Sequence, residues 1–543
     1  MIDKLFPNKL ETTTEILARY PKRNLPEGAM VTRIAPSPTG FMHIGTLYTA
    51  MVSERFAHQS GGIFMLRIED TDKKREVEGA GELVVEALDY YGIKIDEGQD
   101  LSGKEIGNYG PYKQSARQEI YASFVKDLVE KGLAYPCFCS SEELEETRKT
   151  QEEYSQRPGY YGQWAKWRNA TEEDIQAELE KNTPFVIRLR SAGNYNKKIK
   201  YQDLLKGTIE TSENDMDIVI MKADGLPTYH FAHIVDDYLM GTTHVIRGDE
   251  WLASTPLHLQ MFEMMGWQAP RYGHLAPIQK LDNGNKRKLS KRKDPEASMS
   301  YYDENGYTKE SILEYLTNLA NSDFEDWRKA NLNAPITDFK IGFERLSNSS
   351  GALFDFVKLD NISKEIISRM TSEEIYTRSL VWAEKFDKNL ASLMKNNKEK
   401  FLSIFSIERN GEKTRKDIGK WSDVKGETEY FFDEGYSFDK ASLKETYPNL
   451  NEADISNILS GFKATYDSSD SKEIWFEKVK ALCDSIGFAS NIKEYKKAPE
   501  NFKGSIVEVT TILRLFLTGK TKTPDMYYIM QVLGKDKVFE RLS

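Results

Sequence analysis

The stretch RIAPSPTGFMHIGTLYTAM, Arg33 to Met51, decides how this chain is read. It begins at the end of a short apolar strand, AMVTRIAP, which Pro36, Pro38 and Gly40 bring to a stop. Leu47 to Gln59 then carries a helical pattern, with Thr46 as the expected N-cap and Gly61-Gly62 as the stop. His43 stands just ahead of that helix. A strand turning sharply into a helix gathers backbone N–H groups and the positive helix end at one point, which favours an anion. Gly40 and Gly45 allow a ligand close to the backbone, and His43 and Thr46 offer donors. The corner is therefore read as a holder of nucleotide phosphates. An isolated H-x-G is more often an ordinary structural turn, so the rest of the chain has to decide.

Outward from this corner, residues 1–28 read as a preliminary helix and linker, and GIFMLRIED is a short, bounded apolar run, the pattern of a buried strand. GAGELVVEALDYYG follows as a helix, and strand, helix, strand, helix is the order of a parallel α/β sheet. From about Tyr109 to Lys206 the chain turns to Glu, Lys, Gln and aromatics. One clear helix, Ala116 to Lys131, puts Ile120, Phe124, Leu128 and Val129 on one face. Strand-like PFVIRLR and DIVIMK close this region, which is expected to be an insertion within the sheet domain. The sheet pattern resumes with HVIRGDEW, a helix over Leu252 to Gly266, and APIQKL. Beyond about residue 340 only helices are expected. Val509, Ile512, Leu513 and Phe516 make one apolar stripe, Ile455, Ile458, Leu459 and Phe462 another, and Trp475, Val479, Leu482, Cys483 and Ile486 a third. Thr371 and Glu374 form a capping box, and Pro524 and Gly534 bracket the last helix. The stripes are read as core and carry no chemistry.

A chain of 543 residues, 39% apolar and 29% charged, is long enough for about three to five domains. No run of about 18 apolar residues exists, so no membrane span is expected. MIDKLFPNKLETTTE lacks the apolar centre of a secretory signal. Three cysteines make no disulfide framework, which suits a reducing compartment. With 75 basic and 85 acidic residues the net charge is −10, against a general nucleic-acid coat but compatible with a local basic track.

NKRKLSKRKD, Asn285 to Asp294, is such a track; residues 286–293 hold six basic side chains out of eight. Runs of this kind are commonly solvated loops. Here Leu289-Ser290 interrupts the charge and Gly284 loosens the approach. A mobile loop with several lysines suits a triphosphate whose charge shifts during reaction. No Walker loop is present: Arg514 stands where a glycine is required ahead of Gly519-Lys520-Thr521.

An H-x-G followed far downstream by K-x-S-K, on a split parallel sheet, resembles the class I aminoacyl-tRNA synthetases. More narrowly, RIAPSPTGFMHIGT, LRIEDTD, GPYKQSAR, LPTYHFAHIVDDYLMGTTHVIRGDEW and KLSKR resemble the glutamyl-tRNA synthetases of bacterial type, as does the tail TPDMYYIMQVLGKDKVFERL. Ala35-Pro36-Ser37-Pro38-Thr39 stands where glutaminyl relatives usually have Pro-Glu-Pro-Asn. The resemblance implies an α/β fold: a Rossmann-like parallel-sheet catalytic domain split by an insertion, followed by an all-α C-terminal anticodon-binding region. The expected parts are the first catalytic half (1–108), a tRNA acceptor-binding insertion (109–206), the second catalytic half (207–265), a stem-contact region with the KLSKR loop (266–360) and the helical anticodon-binding region (361–543).

The implied activity is activation of L-glutamate with ATP to glutamyl-adenylate and transfer to the 3′-terminal adenosine of tRNA-Glu. A cytoplasmic monomer with no membrane partner is expected, using ATP with Mg²⁺. In-line attack on the α-phosphorus builds negative charge there, so positioning and charge stabilisation suffice. By resemblance His43, Thr46, Lys288 and Lys291 serve catalysis, and ATP lies against His43, Gly45, Thr46, Glu250 and Lys291. Glutamate carries two carboxylates and one ammonium, so its pocket needs two cationic forks and one anion. Arg33 and Arg247 sit at strand ends where that pocket would lie, Glu69 suits the ammonium, and Tyr229 offers a hydroxyl. The resemblance adds Ala35, Ser37 and His233, the last where many relatives have Asn. Some relatives hold zinc through Cys-x-Cys and a later Cys-x-His. Cys137-Phe138-Cys139 matches the first half, but YYGQWAKW has neither ligand, and two thiolates do not complete a tetrahedral site, so no metal site is expected. Tyr160, Tyr161 and Trp164 fit base stacking and core packing equally well. A non-catalytic relative would be expected to have lost KLSKR or His43, and a small-molecule adenylyltransferase would have no use for the helical tail.

Overall fold

Val31–Ile34 forms the first strand (β1), buried along its whole length in this computed structural model. The chain then passes the two prolines into helix α1 (Ile44–Gln59) and returns as β2 (Ile63–Leu66), parallel to β1 with Arg33 opposite Met65. The helix begins at Ile44 rather than Leu47, because His43 and not Thr46 caps it. The His43 Nδ1 accepts the Gly45 N–H at 2.9 Å. Helix α2 (Ala80–Tyr90) follows. The structure describes all 543 residues except 41, 73–76, 291, 347–350, 410, 412–413, 440–442 and 444–450.

The inserted region holds more structure than its apolar pattern suggests. After α3 (Gln118–Glu130) come β3 (Ala134–Cys137), α4 (Ser141–Glu153), α5 (Glu172–Glu180), β4 (Val186–Leu189), the hairpin β5 (Lys198–Asp203) and β6 (Gly207–Ser212), and β7 (Val219–Met221). Strands β3, β4 and β7 form an antiparallel sheet in that order. Helices α4 and α5 each bury one described residue, Gln151 and Ile175, so they show no apolar stripe. What starts them is a capping box, Ser140 with Glu143 and Thr171 with Asp174.

Helix α6 (Tyr229–Leu239), β8 (His244–Gly248), α7 (Thr255–Met264) and β9 (Arg271–Leu275) complete the parallel layer. β8 and β9 run parallel, with Arg247 opposite His274. β8 lies beside β1, where the Thr243 N–H donates to the Val31 carbonyl at 3.0 Å. The order is thus β2-β1-β8-β9, and the two halves meet between β1 and β8. APIQKL is not the next parallel strand. RYGHL takes that place, and Gln279–Asp282 (β10) instead forms an antiparallel hairpin with Asn285–Lys288 (β11). The turn explains the change: Asn283 and Gly284 both have positive φ, +50° and +83°, as a two-residue hairpin turn requires.

The chain divides into two compact units, residues 1–301 with 313–355 and residues 302–312 with 356–543. From residue 356 the described elements are helical. Val509, Ile512, Leu513 and Phe516 are buried in one core with Trp475, Val479 and Ile458. The Thr371–Glu374 capping box is present. Gly534 ends Met526–Leu533, and one more helix, Lys535–Arg541, follows it. Among the described residues no helix is long and apolar enough to cross a membrane.

Candidate active site

The carboxyl ends of β1, β2 and β8 open onto one cavity of about 1030 Å³. This is the crevice where a parallel sheet with a reversal in strand order receives its ligand. His43, Gly45, Thr46, Glu250 and Lys288 line one part of it. Arg33, Ala35, Ser37, Glu69, Tyr229 and Arg247 line the rest. His233 does not line it, and Lys291 lies outside the described residues.

At the helix corner the His43 ring is held by the bond that caps α1. Its Nδ1 accepts from Gly45, so the proton of the neutral ring belongs on Nε2. A Cβ on residue 45 would stand 3.0 Å from that Nδ1, so glycine is what permits the capping geometry. Across the cavity, Arg287, Leu289 and Ser290 of the basic run are held by contacts of their own. The Leu289 side chain is buried. The Arg287 guanidinium grips Asp294 with two bonds, 2.6 and 2.8 Å, and the Ser290 N–H donates to the same carboxylate at 2.9 Å. Hydrogen bonding from Arg287 holds the Asp294 carboxyl well below the usual range. Lys288 pairs with Glu250 at 3.2 Å, both about half exposed.

The two arginines of the other half differ in their surroundings. Arg33 Nε lies 3.3 Å from both oxygens of Asp237, which also accepts from Arg67 Nη1 at 2.6 Å. Arg67 Nη2 in turn donates to Glu69 at 3.0 Å. Burial raises the Glu69 carboxyl above its ordinary value despite Arg67 and Arg33 beside it. Arg247, also buried, has no carboxylate within 4 Å among the described residues. Its Nε donates to His274 Nε2 (3.0 Å), Nη1 to His258 Nδ1 (3.2 Å), and Nη2 to the Trp251 carbonyl (3.2 Å) and Thr255 Oγ1 (3.0 Å). All four partners are neutral acceptors. Of the five guanidinium N–H groups one, on Nη1, is left for a ligand. Tyr229, at the first position of α6, packs on Trp251 with ring centroids 4.3 Å apart, and burial raises its hydroxyl pKa.

His233 sits one helical turn beyond Tyr229 and is fully buried. Its Nδ1 donates to Asp237 at 2.9 Å and its Nε2 accepts from the Tyr272 hydroxyl at 3.1 Å. Both ring nitrogens are engaged inside the protein, and burial depresses its pKa to about 3, so the ring stays neutral. The side chain supports Arg33 through Asp237 instead of reaching the cavity.

Sequence reasoning missed Trp251, His258, His274 and Asp203. One signal was available: five of the seven histidines fall between residues 230 and 274. In the insertion, the Cys137 thiol donates to the Tyr160 hydroxyl at 3.4 Å, and Cys139 Sγ lies 3.6 Å from the same oxygen. Tyr160 is buried in a small core, whereas Tyr161 and Trp164 are half-buried.

A parallel sheet with a histidine-capped helix corner at its carboxyl edge, interrupted by an insertion, is the architecture of a class I tRNA synthetase catalytic domain. Residues 29–348 match the family described as tRNA synthetases class I (E and Q), catalytic domain, and residues 384–543 match the anticodon binding domain. The chain belongs to the glutamate–tRNA ligase family. A glutamate–tRNA ligase of Clostridium perfringens is 46% identical over 538 residues, covering 99% of this chain and 98% of the relative. One from Acetivibrio thermocellus is 46% identical over 547 residues, covering 100% and 98%. Among solved structures, a glutamate tRNA ligase from Elizabethkingia meningosepticum, in complex with its amino acid, superposes with a TM-score of 0.74 at 28% identity, covering 94% of this chain and 98% of that one.

Proposed function

We propose that this chain is a glutamate–tRNA ligase that activates L-glutamate with ATP and transfers the glutamyl group to the 3′-terminal adenosine of tRNA-Glu. The observation that carries the reading is a single cavity joining the His43 corner to Arg247, a buried cation without a carboxylate partner among the described residues. ATP lies with its phosphates toward His43, Gly45 and Thr46, where the positive end of the α1 dipole favours an anion. Lys288, at the end of β11, and Lys291 serve the ATP phosphates, Lys288 exchanging Glu250 for phosphate. Arg33 and Arg247 take the glutamate carboxylates, Glu69 its ammonium, and Tyr229, Ala35 and Ser37 shape the wall. Mg²⁺ is taken to accompany ATP on its phosphate oxygens.

The acceptor end of tRNA belongs to the insertion (109–206), the stem to 266–360 and the anticodon to 361–543, the last of these supported by the match of residues 384–543 to an anticodon-binding domain. A cytoplasmic monomer completes the reading. The test is glutamate-dependent pyrophosphate exchange, with and without tRNA-Glu, followed by charging of purified tRNA. Exchange is expected only with tRNA present. Failure of glutamate to support exchange under either condition sinks the proposal. Lys291→Ala is expected to remove most exchange while tRNA binding stays within about twofold, as suits a group acting on the transition state; equal loss of both would remove its phosphate role.

A further inference from the structure

The partners of Arg247 are themselves held in one protonation state by a carboxylate that never reaches the cavity. Asp203, the last residue of β5, has its Oδ1 fixed by the Leu205 and Lys206 N–H groups, each at 2.9 Å. Its Oδ2 lies 2.5 Å from His274 Nδ1. A carboxylate only accepts here, so Nδ1 must carry the ring proton and Nε2 must be bare. That bare Nε2 faces Arg247 Nε, which can only donate. Asp203 and His274 are both buried, and burial keeps the ring neutral despite the carboxylate. The same logic runs on the other side: His258 accepts from Arg247 on Nδ1, so its proton is on Nε2 and goes to His230 Nδ1 at 3.0 Å.

This inference rests on the ligase reading and deepens it. We propose that Asp203 and His274 are positioning residues for glutamate: Asp203 keeps the His274 proton on Nδ1, and the bare Nε2 orients Arg247 by its Nε–H without neutralising it, so the substrate carboxylate becomes the counter-ion. A carboxylate placed directly on Arg247, as Asp237 is on Arg33, would orient the guanidinium equally well but would compete with the substrate. A neutral imidazole locked from behind gives orientation without competition. It is also a device that fails in a specific way. In Asp203→Asn the backbone donors of Leu205 and Lys206 claim the amide oxygen, so the amide NH₂ faces His274 and drives its proton to Nε2. Two donors then confront each other at Arg247.

The experiment uses the full chain with tRNA-Glu and measures KM for glutamate, KM for ATP, kcat and the thermal midpoint. Asp203→Asn and His274→Phe are expected to raise the glutamate KM about ten- to a hundredfold, with kcat and the ATP KM within about threefold, the pattern of lost ground-state binding. His274→Gln, whose amide can donate to Asp203 and accept from Arg247, is expected to stay within about threefold of the parent, as a retained bond predicts. A glutamate KM unchanged in His274→Phe, or a rise matched by the ATP KM, overturns the proposal. A second measurement needs no damaged variant: in the parent chain labelled with ¹⁵N-histidine, His274, assigned from His274→Gln, is expected as the Nδ1–H tautomer, and an Nε2–H signal overturns the proposal. A parent chain that shows the Nδ1–H tautomer yet fails to use glutamate would refute the ligase reading and leave the geometry standing, so the two failures are distinguishable.

Discussion

Arg33 and Arg247 are alike in the sequence, each a basic residue near the end of an apolar strand, yet the structure gives them opposite electrostatic situations. Arg33 faces Asp237, which also holds Arg67 and His233, so its removal disturbs a buried charge cluster. Arg247 is surrounded by neutral acceptors, so its removal leaves no carboxylate unpaired among the described residues. Breaking a buried ion pair typically costs about 3–5 kcal/mol, less where other partners remain. Arg33→Gln is therefore expected to lower the thermal midpoint clearly more than Arg247→Gln. Arg247→Gln is expected to raise the glutamate KM at least about a hundredfold or abolish charging, as loss of a buried charge and its charge-assisted hydrogen bond implies. Parallel thermal unfolding and charging assays decide it; equal midpoint losses would refute the distinction. A second residue-scale test concerns Gly45. Gly45→Ala puts a Cβ 3.0 Å from His43 Nδ1, so activation should fall while folding changes little. Pyrophosphate exchange unaffected by that methyl would mean the His43 geometry is not critical.

Among the elements, α1 is anchored at both ends, by His43 at its start and by His58 near its finish. His58 bridges Glu54 and Asp96, each at 2.8 Å, and Asp96 also accepts the Phe64 N–H of β2. Asp96 first, then Glu54, lifts the imidazolium pKa to about 9 from an ordinary 6.5. A folded pKa above the unfolded one means the stabilisation is complete below about pH 6.5 and is lost as pH rises toward 9. His58→Gln should thus be more destabilising at pH 6 than at pH 9.5, by about 1–2 kcal/mol after allowance for its partial exposure. Urea unfolding at the two pH values reads the difference, and a penalty equal at both would exclude the charged bridge. What the sequence made legible at this scale follows from what each element buries. β1, β2, α2 and β8 showed themselves because their apolar runs are core. Helices α4 and α5 stayed hidden because they bury almost nothing, and only their caps spoke for them. β9 was missed because Gly273 and His274 break its apolar run, and His274 is there for Arg247. Of the side chains expected at the site, Arg33, Ala35, Ser37, His43, Glu69, Tyr229 and Arg247 line the cavity, whereas His233 lies behind it. The supporting shell, Asp203, His258 and His274, was not legible, since partners brought together by folding leave no spacing in the chain.

At the scale of the whole molecule, the two units carry cores of their own and different chemistry. The first unit holds the cavity and a core built around Phe124, Phe231 and Phe262. The second holds one core around Phe401, Phe405 and Trp421 and another around Phe462, Trp475 and Phe516. The proposed small substrates touch only the first. A ligand stabilises the cooperative unit that binds it, by about 2.7 kcal/mol at a hundred times its Kd. For a unit of this size that is a shift of a few degrees. Calorimetry of the full chain should therefore show at least two transitions, of which ATP with glutamate raises one. Variants check the assignment. Phe401→Ala, a large-to-small change in the second unit costing about 3–5 kcal/mol, should lower the transition that ATP and glutamate leave in place. Arg247→Gln should abolish the part of the other transition's shift that glutamate adds to ATP while leaving its unliganded midpoint nearly unmoved. If Phe401→Ala instead lowered the ligand-responsive transition by the same amount, the two cores would unfold as one, and the separation of substrate activation from anticodon binding into independently stable bodies would be wrong.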